Sequence, residues 1–144
     1  SVYFWFEDKD DIYRNVVRYG TGKSADKLFE FALEKMQNPK VFFETFLDEV
    51  DKYKKEFRLI FQVTASPHYG DQIRGKAEGF KFIYERYILR LAGILGCTCE
   101  EITPIIYMII SILSDYVLWE DYEVSKLQMD YLYKIVKTKF LQSK

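Results

Sequence analysis

The chain has 144 residues, a length that suits one domain with a continuous hydrophobic core. Charged residues make up 30% of it and nearly cancel to a formal net charge of -1, which excludes a strong overall field for nucleic acid or anionic lipid. Its two cysteines are too few for a disulfide-rich secreted fold and suit a reducing cytoplasm.

Membrane insertion and export are not expected. The longest apolar run, Ile105 to Ile110, is short of the roughly 18 residues that indicate a membrane span. A secretory signal needs a basic leader before its apolar stretch, whereas acidic residues follow the apolar opening of this chain at once. We therefore expect a soluble, cytoplasmic protein with no membrane partner.

The sequence offers no visible carrier of enzyme chemistry. It contains no glycine-rich phosphate loop, no Ser/His/Asp arrangement and no Gly-x-Ser-x-Gly elbow. Cys97 and Cys99 lie far in sequence from the single histidine, His68, so small packing residues are a better interpretation than a zinc site. We expect no catalytic residue, metal or cofactor. A proton-transferring enzyme is the least favoured alternative, because no positioned base is evident.

Apolar residues at spacings of three and four predict an all-α protein. The first helix is expected over 9–36, with a kink or break at Gly20 and Gly22, since each glycine is worth about 1 kcal/mol against helix. Asn38 as an N-cap and Pro39 at the first helical position predict the start of the next helix. That helix is expected over 39–64, ending before Ser66-Pro67.

Three further helices are predicted. One covers about 71–95, with Gly96 as its C-terminal cap, and a capping box between Thr98 and Glu101 begins another over 99–119. The last covers about 124–140. Apolar residues occupy most of the circumference of 102–118, so this helix needs cover on every side, and a second subunit is a reasonable source of it. The alternative is the central helix of a monomeric bundle.

The opening stretch 2–6, Val-Tyr-Phe-Trp-Phe, resembles the end of the helix-turn-helix unit of TetR-family transcriptional regulators. In that family a Leu-Tyr-x-x-Phe element closes the recognition helix and x-x-Lys-x-x-Leu starts the following one; Tyr3, Phe6, Lys9 and Ile12 match this spacing without a gap. The resemblance implies that residues 1–8 end a truncated DNA-binding domain and that 9–144 form a TetR-like ligand-binding and dimerisation domain. The residues that read operator DNA would precede Ser1.

By the same resemblance Tyr3 and Lys9 contact DNA phosphates and Trp5 lies near the DNA backbone. A lysine at the positive start of a helix does not stabilise that helix, which supports an anion as its partner. Such contacts position a protein on DNA without reading bases. The alternative is that Tyr3, Phe4 and Phe6 only pack against the following helix.

The resemblance further implies a ligand cavity lined from the 39–64, 71–95 and 99–119 helices. Tyr, Phe and Trp are 18% of the chain, more than a small helical core requires, and buried tyrosine hydroxyls need partners. We therefore expect an aromatic-lined cavity for a small hydrophobic or aromatic ligand, with ordinary core packing as the alternative for each residue. The candidates are Tyr53, Phe57, Phe61, Thr64, Tyr84, Tyr87, Tyr107 and Ser111.

A homodimer is also expected, in which the last two helices of each subunit form an intersubunit four-helix bundle. The implied function is that of a ligand-responsive transcriptional regulator of the repressor type, whose partners are operator DNA and a small molecule. A helical interaction or dimerisation module without DNA binding is the alternative. The candidate interface residues are Ile105, Ile109, Ile112, Tyr116, Leu127, Tyr131 and Ile135.

Overall fold

The structure is a computed structural model that describes residues 24–67 and 77–141. Within these ranges the chain is helical and has no strand, which confirms the all-α prediction. The predicted break at Gly20 and Gly22 and the predicted beginning of the 71–95 helix lie outside the described residues. The described helices are α1 (Ser24–Lys35), α2 (Pro39–Asp51), α3 (Lys54–Thr64), α4 (Ala77–Leu95), α5 (Cys99–Trp119) and α6 (Tyr122–Val136), followed by a π-helical turn, Lys137–Leu141.

The junction between α4 and α5 forms as its sequence predicts. Gly96 has a φ of 69°, and the N–H of Cys97 donates to the carbonyl of Ala92 over 3.0 Å, which closes α4 with a Schellman-type turn. Thr98 then begins α5: its hydroxyl accepts from the N–H of Glu101 over 3.1 Å, and the Glu101 carboxylate accepts from the N–H of Thr98 over 3.0 Å. Both halves of the predicted capping box are therefore present.

The predicted 39–64 helix is in fact two helices. After α2 ends, the N–H of Lys52 donates to Glu49 over 3.2 Å and that of Tyr53 donates to Val50 over 2.9 Å, three-residue spacings that tighten the chain into a turn. The break directs the two halves onto different partners, because α2 packs mainly against α6 whereas α3 packs against α5. No glycine or proline marks this turn, so tertiary packing decides it.

Two smaller boundaries also differ from prediction. Asn38 precedes α2 in an extended conformation with Pro39 in the first turn as expected, but the Asn38 side chain makes no capping hydrogen bond. The last helix begins at Tyr122, because the Asp121 carboxylate accepts from the N–H of Val124 over 3.2 Å and acts as its N-cap. Its regular part ends at Val136.

Helix α5 lies at the centre of the bundle, where α3, α4 and α6 pack against it. Helix α1 packs against α2 and α4. By length and composition α5 is apolar enough to cross a membrane. Within the protein, 44% of this apolar segment is buried, including Ile102 and Val117 completely.

Replacement of Thr98 by alanine should lower the free energy of unfolding by about 1 kcal/mol, because one N–H at the beginning of α5 loses its side-chain acceptor. Urea denaturation followed by circular dichroism measures this difference. Thr98→Ser keeps the hydroxyl and should stay close to the wild type. Equal losses in the two variants would mean that the hydroxyl does not cap α5.

Candidate functional site

A cavity of about 110 Å³ lies between helices α1, α2, α3, α4 and α5. Its walls are almost entirely aliphatic and aromatic, so water gains few hydrogen bonds inside it. All five helices contribute, which makes the cavity a property of the whole bundle. The lining residues are Ala25, Leu28, Phe29, Ala32, Met36, Phe42, Phe46, Phe57, Ile60, Phe61, Tyr84, Leu91, Ile106, Ile109, Ile110 and Leu113.

The cavity has an inner and an outer end. Phe42, Phe46 and Leu91 on its wall are almost completely buried, whereas Phe29 and Tyr84 are half-buried and lie nearer the surface. The rings of Phe29 and Tyr84 are 5.3 Å apart between centroids. These two residues, one from α1 and one from α4, therefore mark the outer end.

Among the described lining residues, Tyr84 is the one with a side-chain oxygen. Burial, and then the nearby hydroxyl of Tyr107, raise the pKa of Tyr84 above its ordinary value of 10.0. The Tyr84 hydroxyl is therefore neutral at physiological pH, and it can donate or accept one hydrogen bond at the outer end of an otherwise apolar space.

Phe57, Phe61 and Tyr84, three of the eight residues predicted for the pocket, line the cavity. The ring of Tyr53 lies outside the lining and faces the ammonium of Lys27, 5.7 Å from its centroid. The hydroxyl of Thr64 donates to the backbone carbonyl of Ile60 over 2.6 Å, so it serves its own helix. The turn at Lys52 and Tyr53 breaks the single helical face on which the prediction placed Tyr53 and Thr64.

The other three predicted residues also lie outside the lining. Tyr87 stacks on Phe29, with ring centroids 4.5 Å apart, behind the cavity wall. Tyr107 and Ser111 are exposed on α5 and do not line the cavity, unlike their neighbours Ile106 and Ile110. The structure thus places Tyr87, Tyr107 and Ser111 outside the cavity lining; on α5, which is apolar on two sides, spacing alone does not tell which side faces the core.

Sequence reasoning missed the contribution of α1. Leu28 and Ala32 continue the apolar stripe of the first predicted helix, which was the available signal, and Phe29 lies beside that stripe. The predicted lining came from the 39–64, 71–95 and 99–119 helices alone. The structure brings α1 onto α2 and α4, where it supplies a wall.

A polar cluster holds α3, which carries three lining residues, against the end of α5. Arg58 donates from Nε to the carbonyl of Val117 over 2.8 Å and forms an ion pair with Glu120 at 2.9 Å. Lys54 donates to the other oxygen of Glu120 over 3.0 Å. Two cations thus meet the negative end of α5, and one of them satisfies a terminal carbonyl.

The same cluster includes Tyr116, whose hydroxyl donates to the carboxylate of Asp51 over 2.6 Å. Burial, and then this hydrogen bond, raise the pKa of Tyr116. The hydrogen bond from Lys54, followed by the charge of Arg58, lowers the pKa of Glu120. Tyr116, predicted for the dimer interface, instead joins α5 to the end of α2.

A second feature is an apolar surface on α5 and α6, which we call the outer face. It consists of Tyr107, Met108, Leu118 and Trp119 on α5 and Val124, Leu127, Tyr131 and Ile135 on α6. Leu127 and Tyr131 are each 68% exposed, and a groove runs between the two helices. Helix α6 therefore has two apolar stripes, since Met129, Leu132 and Val136 on its other side are buried.

Of the residues predicted for the dimer interface, Leu127, Tyr131 and Ile135 lie on the outer face. On α5, Ile105 and Ile109 are buried in the core of the chain itself, whereas Ile112, also buried, lines the groove of the outer face. The exposed residues of α5 at this level are Tyr107, Met108 and Ser111. An interface on this helix would use them.

Tyr3, Trp5 and Lys9, predicted to contact DNA, lie outside the described residues, as does His68. Within 24–67 and 77–141, no group of three His, Cys, Asp or Glu side chains is placed to hold a metal ion. Comparison with protein-family models, with curated proteins and with solved structures finds no match to this chain.

Glu120→Gln should weaken the protein at neutral pH and have less effect in acid. Because its folded-state pKa is lowered, the Glu120 carboxylate stabilises the fold above its ordinary pKa of 4.5, and this contribution is lost as pH falls through the folded-state pKa. Urea denaturation at about pH 7 and about pH 3 measures the difference. Glu123→Gln, an exposed glutamate in the first turn of α6, is the control. A pH-independent loss in Glu120→Gln would contradict the ion-pair account.

Proposed function

We propose that this chain is the ligand-sensing and dimerising domain of a TetR-type transcriptional regulator in the cytoplasm. The observation that carries the proposal is the arrangement around α5, which has a cavity on one side and an exposed apolar face on the other. A sensor needs a site that a small molecule can enter and a surface through which its occupancy reaches another subunit. One helix contributes to both.

Helix α5 supplies one wall of the cavity through residues such as Ile106 and Ile109. Tyr107 and Met108, their neighbours in sequence, lie on the outer face. Packed side chains resist compression, so a ligand that displaces this wall also displaces the outer face. The polar cluster at Glu120 restrains the same helix at its end, which favours movement as a unit.

We assign the coupling between ligand binding and DNA binding to α1. This helix is the C-terminal part of the predicted 9–36 helix, which begins at Lys9, directly after the segment that carries Tyr3 and Phe6 of the family motif. Its Leu28, Phe29 and Ala32 line the cavity. A ligand that shifts α1 would change the separation of the two recognition helices in a dimer and thereby its fit to successive major grooves.

The outer face supports a two-fold homodimer. Monomeric soluble proteins rarely expose contiguous apolar surfaces of this kind, and a two-fold interface pairs one patch with itself. Charged residues such as Lys126 and Asp130, which form an ion pair at 3.3 Å, lie beside the outward stripe of α6 as a polar rim. Four helices, α5 and α6 from each subunit, would then bury the face.

Tyr131→Glu should convert the dimer into a monomer at micromolar concentration, because a carboxylate would be buried without a partner in the pair of faces. Sedimentation velocity measures the change, and circular dichroism checks that the helices remain. Leu89→Glu is the matched control, since Leu89 is 65% exposed on α4, away from the outer face. A wild-type chain that stays monomeric would refute the dimer.

Lys9→Ala in the intact regulator should weaken operator binding about equally for all sequences and reduce the salt dependence by about one ion, because a single phosphate contact is lost. Electrophoretic mobility shifts at several salt concentrations, with an operator selected from random DNA, provide the measurement. Lys40→Ala, an exposed lysine at the beginning of α2, is the control. An unchanged salt slope in Lys9→Ala would oppose the assigned contact.

The second candidate is a helical dimerisation module without DNA binding. The exposed stripe of Leu127 and Tyr131 favours it, because that surface would serve association whatever precedes the sensor. The two functions differ in one outcome: a module dimerises and selects no DNA sequence, whereas the regulator does both.

A further inference from the structure

We propose that the cavity takes a neutral molecule of about one ring that carries a single hydrogen-bonding oxygen, held with that oxygen toward Tyr84 and its apolar body toward Phe42 and Phe46. This inference rests on the proposed sensor function and narrows it to a class of ligand. It departs from the expectation of several tyrosine contacts, because the structure offers one.

Size sets the first limit. A dry, apolar cavity of about 150 Å³ in another protein binds benzene, and the cavity described here has about 110 Å³. A single six-membered ring or a branched chain of similar volume therefore suits it, whereas two fused rings would have to push helices apart. Close-packed walls such as Phe46 and Leu91 make that displacement costly.

Charge sets the second limit. Among the described lining residues no side chain carries a charge at neutral pH, so a carboxylate or ammonium inside would lose its hydration without gaining a partner. The charges of Arg58 and Lys54 are engaged with Glu120 outside the lining. A ligand that ionises at neutral pH is therefore disfavoured.

Polarity sets the orientation. The inner wall at Phe42, Phe46 and Leu91 is almost completely buried and wholly apolar, and a ligand oxygen placed there would be unsatisfied. The ring of Tyr84 lies beside Phe29 at the half-buried end of the cavity, and its hydroxyl is the one side-chain group among the described lining residues that can donate to or accept from the ligand. Phenols and small cyclic alcohols or ketones have this chemistry.

Titration calorimetry of the 144-residue chain with phenol, toluene and benzoate tests the limits on charge and polarity separately. Phenol should bind about threefold to tenfold more tightly than toluene, the ratio expected of one net hydrogen bond, and benzoate should not bind. Tyr84→Phe should remove the preference for phenol and leave toluene binding unchanged. Tyr131→Phe, the same change at a tyrosine that is 68% exposed on α6 and outside the cavity lining, should keep the preference.

Ala32→Leu, which extends a lining side chain into the cavity, should abolish binding of both phenol and toluene. Ala25→Leu, at a half-buried lining position, decides the matter if the first variant fails to fold. Ala65→Leu, exposed after α3, should bind as the wild type does. The proposal is overturned if phenol does not bind or if benzoate binds as tightly as phenol. It is also overturned if the phenol preference survives Tyr84→Phe, or if both cavity variants bind fully.

These measurements use neither DNA nor dimerisation, so their outcome is separate from the test of the regulator. A ligand of another class bound in the cavity would refute this inference and leave the sensor function standing. Phenol binding without dimerisation or operator selection would support this inference and refute the regulator function.

Discussion

The structure depends on covering α5, a 21-residue helix that has apolar residues on nearly every side. Each fully buried isoleucine or leucine contributes about 1.5–3 kcal/mol relative to exposure, so no arrangement that leaves this helix in water competes. Helices α3, α4 and α6 pack against it, and the remaining side chains cluster around that contact. What these neighbours leave uncovered is the outer face.

The turn at Lys52 and Tyr53 follows from the same constraint. One straight helix over 39–64 could not pack against both α6 and α5, whereas two helices do. Once α3 lies on α5, Arg58 and Lys54 reach the end of α5 and Glu120, and these contacts restrain the wall that carries Phe57 and Phe61. Large aromatic side chains from converging helices surround the cavity but do not fill it. Small residues in the wall, such as Ala32, do not fill the remaining space.

Cavity and outer face are therefore two consequences of one helix. Polar groups are few on both, so the proposed sensor would pass its response through packing rather than through charge. The polar cluster around Glu120 holds the end of α5 against α3, and Asp51 adds the end of α2 through Tyr116. Movement of the cavity wall would be shared among these helices.

The sequence by itself determined the helical class, both ends of α5 and the capping box at Thr98, because these depend on neighbours within one or two turns. It also predicted that aromatic residues such as Phe57, Phe61 and Tyr84 would meet. It could not decide that Ile109 faces the cavity while Tyr107 faces outward, nor that α1 supplies a wall, nor that Asp51 ends a helix. A helix that is apolar on two sides has no preferred inner side until its neighbours pack, and that choice belongs to the tertiary structure.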